Sequence, residues 1–261
     1  MSITVSAIYR YPVKGLSGER LDRVTLAPGE CLPEDRRFAL ARASSSFDPE
    51  RPQWLLKTNF LMLMENEKLA RLRTRFDAAS GHLHIEDEGR ELLRARITDA
   101  AGRDRVNAFF AAFLDGELTG APRLVEAPGH VFADARRKPN AATDKYVSLV
   151  NLKSVGALAE VMDVAIDPLR FRANFYFTGV DEWAEHDWLG REITLGGAKL
   201  HIVSAITRCP ATHVNPVTAE RDLDIVGTLR RSFGHINMGV YAEVLEGGEI
   251  VEGDELRIAR D

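Results

Sequence analysis

The chain has 261 residues, of which 45% are hydrophobic and 28% charged, and its formal net charge is −5. This is ordinary globular composition, long enough for one large domain or two small ones. The charge balance argues against nucleic acid or an anionic membrane as partner, and no window approaches a bilayer-spanning apolar run. The opening MSITVSAIYRYPVKG, broken by Arg10 and Lys14, does not have the pattern of a signal peptide, so a cytoplasmic location is expected.

ITVSAIYRYPV alternates apolar and polar positions from Ile3 to Val13 and predicts a strand, as does RLDRVTLAPG with its Pro-Gly turn, followed by RRFALARA. ASSSFDPERPQW, residues 43–54, is rich in Ser, Pro and charge, and predicts an exposed loop of the kind that covers binding sites on β-scaffolds. LHIEDEGRELLRARI has the pattern of a hairpin turning at Asp87-Glu88-Gly89. DRVNAFFAAFLDG, residues 104–116, is a helix whose stripe is Val106, Phe109, Phe110 and Phe113, closed by Gly116. After the short strand PRLVEAP, the segment FADARRKPNAATDKYVS, residues 132–148, predicts a polar loop separating two sub-domains. NLKSVGALAEVM, residues 151–162, predicts a second helix with Asn151 as N-cap. RFRANFYFTG is then a strand and REITLGGAKLHIVSAIT a hairpin turning at Gly196-Gly197. A short helix over IVGTLRRSFG follows, and closing strands turn at Gly-Gly and Gly253-Asp254. Strands at both ends with few helices give a mostly β, α+β fold class: a barrel or sandwich with inserted helices.

The chain has two cysteines, too few for a four-thiolate iron–sulfur cluster or a Cys-rich zinc site, and Cys31 and Cys209 are not expected to pair. A lone cysteine is commonly a packing residue. Cys209 is different in its surroundings: TRCPATHVNPVTAERD places Arg208 before it and Thr212, His213, Asn215 and Thr218 after it, at a strand-to-loop junction. A neighbouring guanidinium favours the thiolate, the form that attacks substrate or ligates metal. With His213 as the nearest base, core residue, nucleophile and metal ligand all stay open. Lys14 in YPVKG, Arg36 in DRRF, and Arg170 and Arg172 on one face of an expected strand are surface charges or an anion site. Asn151 is a helix cap or, at the same spot, part of a phosphate site. His186, among Asp181, Glu182, Glu185 and Asp187, reads as a charged turn anchored by Trp183 and Trp188, not a metal cluster.

YPVKG, DRRF, FRANF with WAEHDWLG after it, RCPATHVNPVT and NMGVYAEVLEGGEIVEGDEL occur in that order over nearly the whole chain. Together they resemble the MOSC family with its N-terminal β-barrel domain. That group includes the mitochondrial amidoxime reducing component, its bacterial relatives and the C-terminal domain of molybdenum cofactor sulfurases. The resemblance implies an N-terminal MOSC β-barrel domain over 1–130 and a MOSC β-barrel domain over 131–261, with a molybdenum-cofactor cleft between them. By resemblance Cys209 is the thiolate that ligates molybdenum. Lys14, Arg36, Asn151, Arg172, Asn174, Thr207, Arg208 and Thr212 are cofactor-binding positions. Asn215 stands where the family often has Asp; it keeps the turn, removes a charge, and joins Cys209 as a catalytic candidate. The implied activity is oxygen-atom transfer that reduces N-hydroxylated or N-oxide small molecules. Some bacterial members append a ferredoxin-like domain; this chain ends at Asp261, so electrons are expected from a separate donor protein. The alternatives are a carrier, with persulfide or cofactor held at Cys209, and a cofactor-free binding module on the same fold.

Overall fold

The computed structural model of the chain describes residues 2–134 and 145–259. From the N-terminus the described strands are β1 (Ile3–Arg10), β2 (Glu19–Leu21), β3 (Arg23–Leu26), β4 (Phe38–Ala41), β5 (Arg73–Asp77), β6 (His82–Asp87), β7 (Arg90–Arg96) and β8 (Arg123–Glu126). They continue as β9 (Val147–Asn151), β10 (Phe175–Thr178), β11 (Glu192–Leu195), β12 (Ala198–Thr207), β13 (Asn237–Glu246), β14 (Gly248–Val251) and β15 (Glu255–Ile258). The α-helices among these residues are α1 (Ala100–Phe113), α2 (Leu152–Met162) and α3 (Ile225–Phe233), and no helix is long and apolar enough to cross a membrane.

Strands β10, β9, β13, β12, β11, β15 and β1 pair in that order, and β1 pairs back onto β10, which closes a seven-stranded barrel; β2 adds to the outer edge of β1. Closure removes the open edges of the sheet. The interior is filled by alternate residues of each strand, among them Leu149, Phe175, Phe177, Ile193, Leu200, Ile202, Val240 and Val244. In β1 the inward residues Val5 and Ile8 are three apart because a bulge lies between Val5 and Ala7. A second core, built on Phe38, Phe76, Leu83, Ile85, Val106 and Phe110, joins β4 with β8, the meander β5–β6–β7 and α1.

The first strand of the chain therefore belongs to the barrel of its second half, β1 pairing with β10 and β15, while β3 pairs with β14 in a separate two-stranded sheet. Hydrogen bonding crosses the expected boundary near residue 130, and this interleaving brings YPVKG, at the end of β1, beside the strands that carry Cys209.

Several elements differ from the sequence expectation for identifiable reasons. Helix α1 starts four residues earlier than 104, because Asp99 caps it by accepting from the Gly102 amide. Gly102 is required there: a Cβ would lie 1.8 Å from the Arg96 carbonyl oxygen. Within the segment expected as a loop over 132–148, residues 135–144 lie outside the described residues, and Val147 and Ser148 open β9, whose five residues are all buried between β10 and β13. The strand expected from Arg170 begins only at Phe175. Pro168–Phe171 form a 3-10 turn capped by Asp167, and Arg172 is left-handed with φ 51°, so Arg170 and Arg172 do not share a strand face.

Candidate functional site

The strand β1 delivers YPVKG into a turn. Gly15 has φ +83°, and a Cβ there would lie 2.8 Å from the Leu61 carbonyl oxygen, so glycine is needed for the chain to turn against that segment. Lys14, just before it, is buried; its Nζ donates to the Phe132 carbonyl at 3.0 Å and ion-pairs with Asp134. Burial lowers the pKa of the ammonium and Asp134 acts against that shift.

Arg36 is also left-handed, at φ 51°, and its amide donates to the Tyr11 carbonyl at 2.7 Å. Asp35 accepts from the Tyr11 amide at 2.7 Å and pairs with the Arg36 guanidinium, while Arg36 Nη2 donates to the Arg172 carbonyl at 3.1 Å. Burial opposes the charge on Arg36, but Asp35, Tyr241 and Tyr11 together more than offset it and the pKa is raised. Arg172 Nη1 donates to the Leu16 carbonyl at 2.6 Å and its guanidinium lies 4.4 Å from the Tyr11 ring centroid. Two neighbouring cations held in a sparsely populated backbone region concentrate strain at this spot.

Strand β12 ends at Thr207. Arg208 turns inward, donating through Nε to the Met238 carbonyl at 2.9 Å and through Nη1 to the Phe171 carbonyl at 2.8 Å. Cys209, half-buried, precedes a 3-10 turn over Pro210–His213, and its carbonyl accepts from the Thr212 amide at 3.0 Å and from Thr212 Oγ1 at 2.9 Å. His213 does not serve as a base here: its Nε2 accepts from the Val226 amide at 3.3 Å and lies 3.7 Å from Asp224, and the ring does not line the cleft. The nucleophilic Cys-His pairing thus has no geometric support.

Lys14, Arg36, Arg172, Asn174, Thr207, Arg208, Cys209 and Thr212 all line one open cleft of about 180 Å³, formed by both halves of the chain. Among the described residues six cations line it (Lys14, Arg36, Lys57, Arg170, Arg172 and Arg208) against two carboxylates (Asp35 and Asp134). That is a surplus of four positive charges in a chain of net charge −5. Arg172 and Arg208 form no ion pair with a carboxylate among the described residues, and burial lowers the pKa of both. Burying a cation beside only carbonyl oxygens is costly unless an anion completes the site. The cleft continues past Cys209 into a wider chamber of about 630 Å³ lined by Trp54, Leu56, Tyr146 and Tyr241.

Two expected positions lie elsewhere. Asn151 is fully buried away from the cleft: its side chain caps α2 by accepting from the Lys153 amide at 3.0 Å and donates to Asp181 and Glu185. Asn215 caps its own turn, accepting from the Val217 amide at 2.9 Å, and donates to Asp222 at 2.8 Å. Asn174 lines the cleft but is occupied by Ser148 and Tyr9. The His186 turn is anchored as expected: Trp188 is buried and Trp183 packs on His186, while Glu185 is buried against Asn151 and Ser154. Among the described residues no cluster of three or more His, Cys, Asp or Glu is gathered for a metal.

The sequence reading missed Asp35, Lys57, Asp134, Tyr146 and Tyr241. Tyr241 had a legible signal: it points outward from β13 while Val240, Ala242 and Val244 fill the barrel. Asp134 and Tyr146 sat in a segment with no periodicity to place them.

Two family models match this chain. The family model described as the MOSC domain matches residues 119–257, and that of the MOSC N-terminal beta barrel domain matches residues 2–121. A molybdenum cofactor sulfurase of Caenorhabditis briggsae is 22% identical over 268 residues, covering 99% of this chain and 36% of that protein. Mitochondrial amidoxime-reducing component 1 of Xenopus laevis is 29% identical over 127 residues, covering 44% of this chain and 36% of that protein. The chain thus spans little more than a third of the length of these curated relatives. The crystal structure of the YUAD protein of Bacillus subtilis superposes with a TM-score of 0.45 at 13% identity, over 98% of this chain and 94% of that one. With a closed barrel whose strands are shared between the two ends of the sequence, and with both family models matched, the chain belongs to the MOSC family and carries the N-terminal MOSC β-barrel domain.

Proposed function

We propose that the chain binds molybdenum cofactor in the cleft and works as an oxidoreductase on N-hydroxylated or N-oxide small molecules. The observation that carries this reading is the convergence of a half-buried thiol with two guanidiniums that have no carboxylate partner among the described residues. The donor set fits the group: a thiolate is a soft ligand suited to molybdenum, and guanidinium forks suit a terminal phosphate. Cys209 would ligate the metal, while Arg36, Arg172 and Arg208, with Lys14 beside them, would hold the anionic end. The bound cofactor supplies oxygen-atom transfer at its metal, with electrons from a separate donor protein. The chain's own contribution is ligand, orientation and electrostatics. The chamber lined by Trp54, Tyr146 and Tyr241 lies on the open side of Cys209, where a small organic substrate would enter.

A second reading, in which Cys209 carries sulfur or passes the cofactor on without turnover, has behind it the likeness to the sulfurase, which spans 99% of this chain. Molybdenum and cyanide-labile sulfur measured on purified protein, with a benzamidoxime-reduction assay of cofactor-loaded protein, separate the two. Molybdenum near one per chain with turnover supports the oxidoreductase. Labile sulfur without molybdenum supports the carrier and overturns the first reading.

A further inference from the structure

The segment Cys209–Asp222 is fastened to Arg170 near its far end by the Asp222 carboxylate, with Arg221 and Arg73 adding contacts to the other half of the chain. Arg170, 5% exposed, sends Nη2 to Asp222 at 2.7 Å and Nη1 to the His213 carbonyl at 3.0 Å, with the Thr212 carbonyl at 3.4 Å. Asp222 also accepts from Asn215 Nδ2 at 2.8 Å. Within the segment Val214 bridges Arg221, with the Asn215 amide donating to the Glu220 carbonyl at 2.8 Å, and the connecting turn needs Ala219 at φ 61°. Thr212, held by Arg170 through its carbonyl, is the residue that donates twice to the Cys209 carbonyl.

We infer that Asp222 is a positioning residue for Cys209: by accepting from Arg170 and Asn215 together it locks the loop that presents the thiol to the cleft. Asn215 has to be an amide in this arrangement. A carboxylate at 215 would face Asp222 across a hydrogen-bond distance, exchanging a donor–acceptor pair for two like charges. Arg170 cannot relieve that clash fully, since its Nη1 is committed to the loop carbonyls. One negative charge shared between positions 215 and 222 holds the loop in place; two loosen it. The inference rests on Cys209 being the reacting group of the proposed function, and does not depend on which group binds there.

The test uses the full chain as purified, without added cofactor, in a Cys31→Ser background, so that failure of the molybdenum reading leaves it untouched. Hydrogen exchange of the 209–222 amides and alkylation of Cys209 by iodoacetamide are compared for wild type, Asp222→Asn, Asn215→Asp and the exchanged pair Asn215→Asp/Asp222→Asn. In both single variants, exchange across 209–222 is expected to rise about tenfold, the factor corresponding to 1.4 kcal/mol of lost tethering. Alkylation of Cys209 should quicken with it, while the barrel strands keep their protection. The exchanged pair should return to within about twofold of wild type, because one carboxylate and one amide again face each other. Unchanged exchange in the single variants would overturn the inference, and so would failure of the exchanged pair to restore it. Loss of protection throughout the barrel in Asp222→Asn would also overturn it, by making Asp222 a residue of the fold at large.

Discussion

Replacing Arg172 by Gln separates binding from folding more cleanly than any other change in the cleft. Lys14 already has Asp134 as a counter-ion and Arg36 has Asp35, so removing either strands a carboxylate. Arg172 has one hydrogen bond to the Leu16 carbonyl, the Tyr11 ring beneath it and Arg36 as a cationic neighbour. In the free protein, loss of the charge forfeits one hydrogen bond and relieves a buried cation next to another. These terms oppose each other, and folding stability should stay within about 1 kcal/mol of wild type. When the anion is bound, the variant lacks a charge-assisted contact of about 1.5–3 kcal/mol, which is about 10- to 150-fold in affinity. The assay loads both proteins with molybdenum cofactor and follows loss of molybdenum and phosphorus on dilution, with urea unfolding of the ligand-free forms alongside. Retention equal to wild type, or a variant that unfolds while still binding normally, would refute the anion-site reasoning.

Asn151→Ala should do the reverse, costing about 0.5–2 kcal/mol of stability in urea unfolding through loss of the α2 cap, while cofactor retention stays at the wild-type level. Burial pushes the Cys31 thiol up to about 12, so iodoacetamide at neutral pH should modify Cys209 and leave Cys31 intact, as peptide mass spectrometry would show. Arg221 joins the cysteine loop to the other half of the chain, donating to the Leu63 and Met64 carbonyls at 2.9 and 2.7 Å and to Glu67. Arg221→Ala should therefore raise proteolytic nicking near residues 61–67 and 209–222 without lowering the protection of the barrel. Burial acts to raise the Asp222 pKa, but Asn215 and Arg170 more than offset it and hold it below the ordinary carboxylate value. A depressed carboxylate pKa gives stability that is fully present above the unfolded value and is lost as pH falls through the folded one. Acid titration of wild type against Asp222→Asn should show a difference that is flat near neutral pH and shrinks only below the ordinary carboxylate range.

The site was legible where a residue's role is local. Asn151 could be assigned as a cap because capping needs only the following turn, and Gly196-Gly197 as a hairpin turn because alternation stops there on both sides. Membership of Lys14, Arg36, Arg172 and Cys209 in one cleft was legible only through the order of the motifs, because their meeting depends on β1 closing the barrel between β10 and β15. No periodicity along a chain records that long-range pairing. The strand expected at Arg170 failed for a related reason: Arg170 and Arg172 flank Phe171 as a strand would place them, but Pro168 and the Asp167 cap set a 3-10 turn first. The clasp of Asp222 on Asn215 and Arg170 was also hidden, since it joins residues seven and fifty-two positions apart.

Molybdenum-edge X-ray absorption on cofactor-loaded wild type and Cys209→Ser tests the central claim, that the thiol of this cleft is a metal ligand. The account predicts that Cys209→Ser folds as wild type does and keeps cofactor through its other anchors. Its molybdenum should have one fewer sulfur neighbour, replaced by oxygen, and reduction of a benzamidoxime-type substrate should be lost. An unchanged sulfur shell with full activity would contradict it.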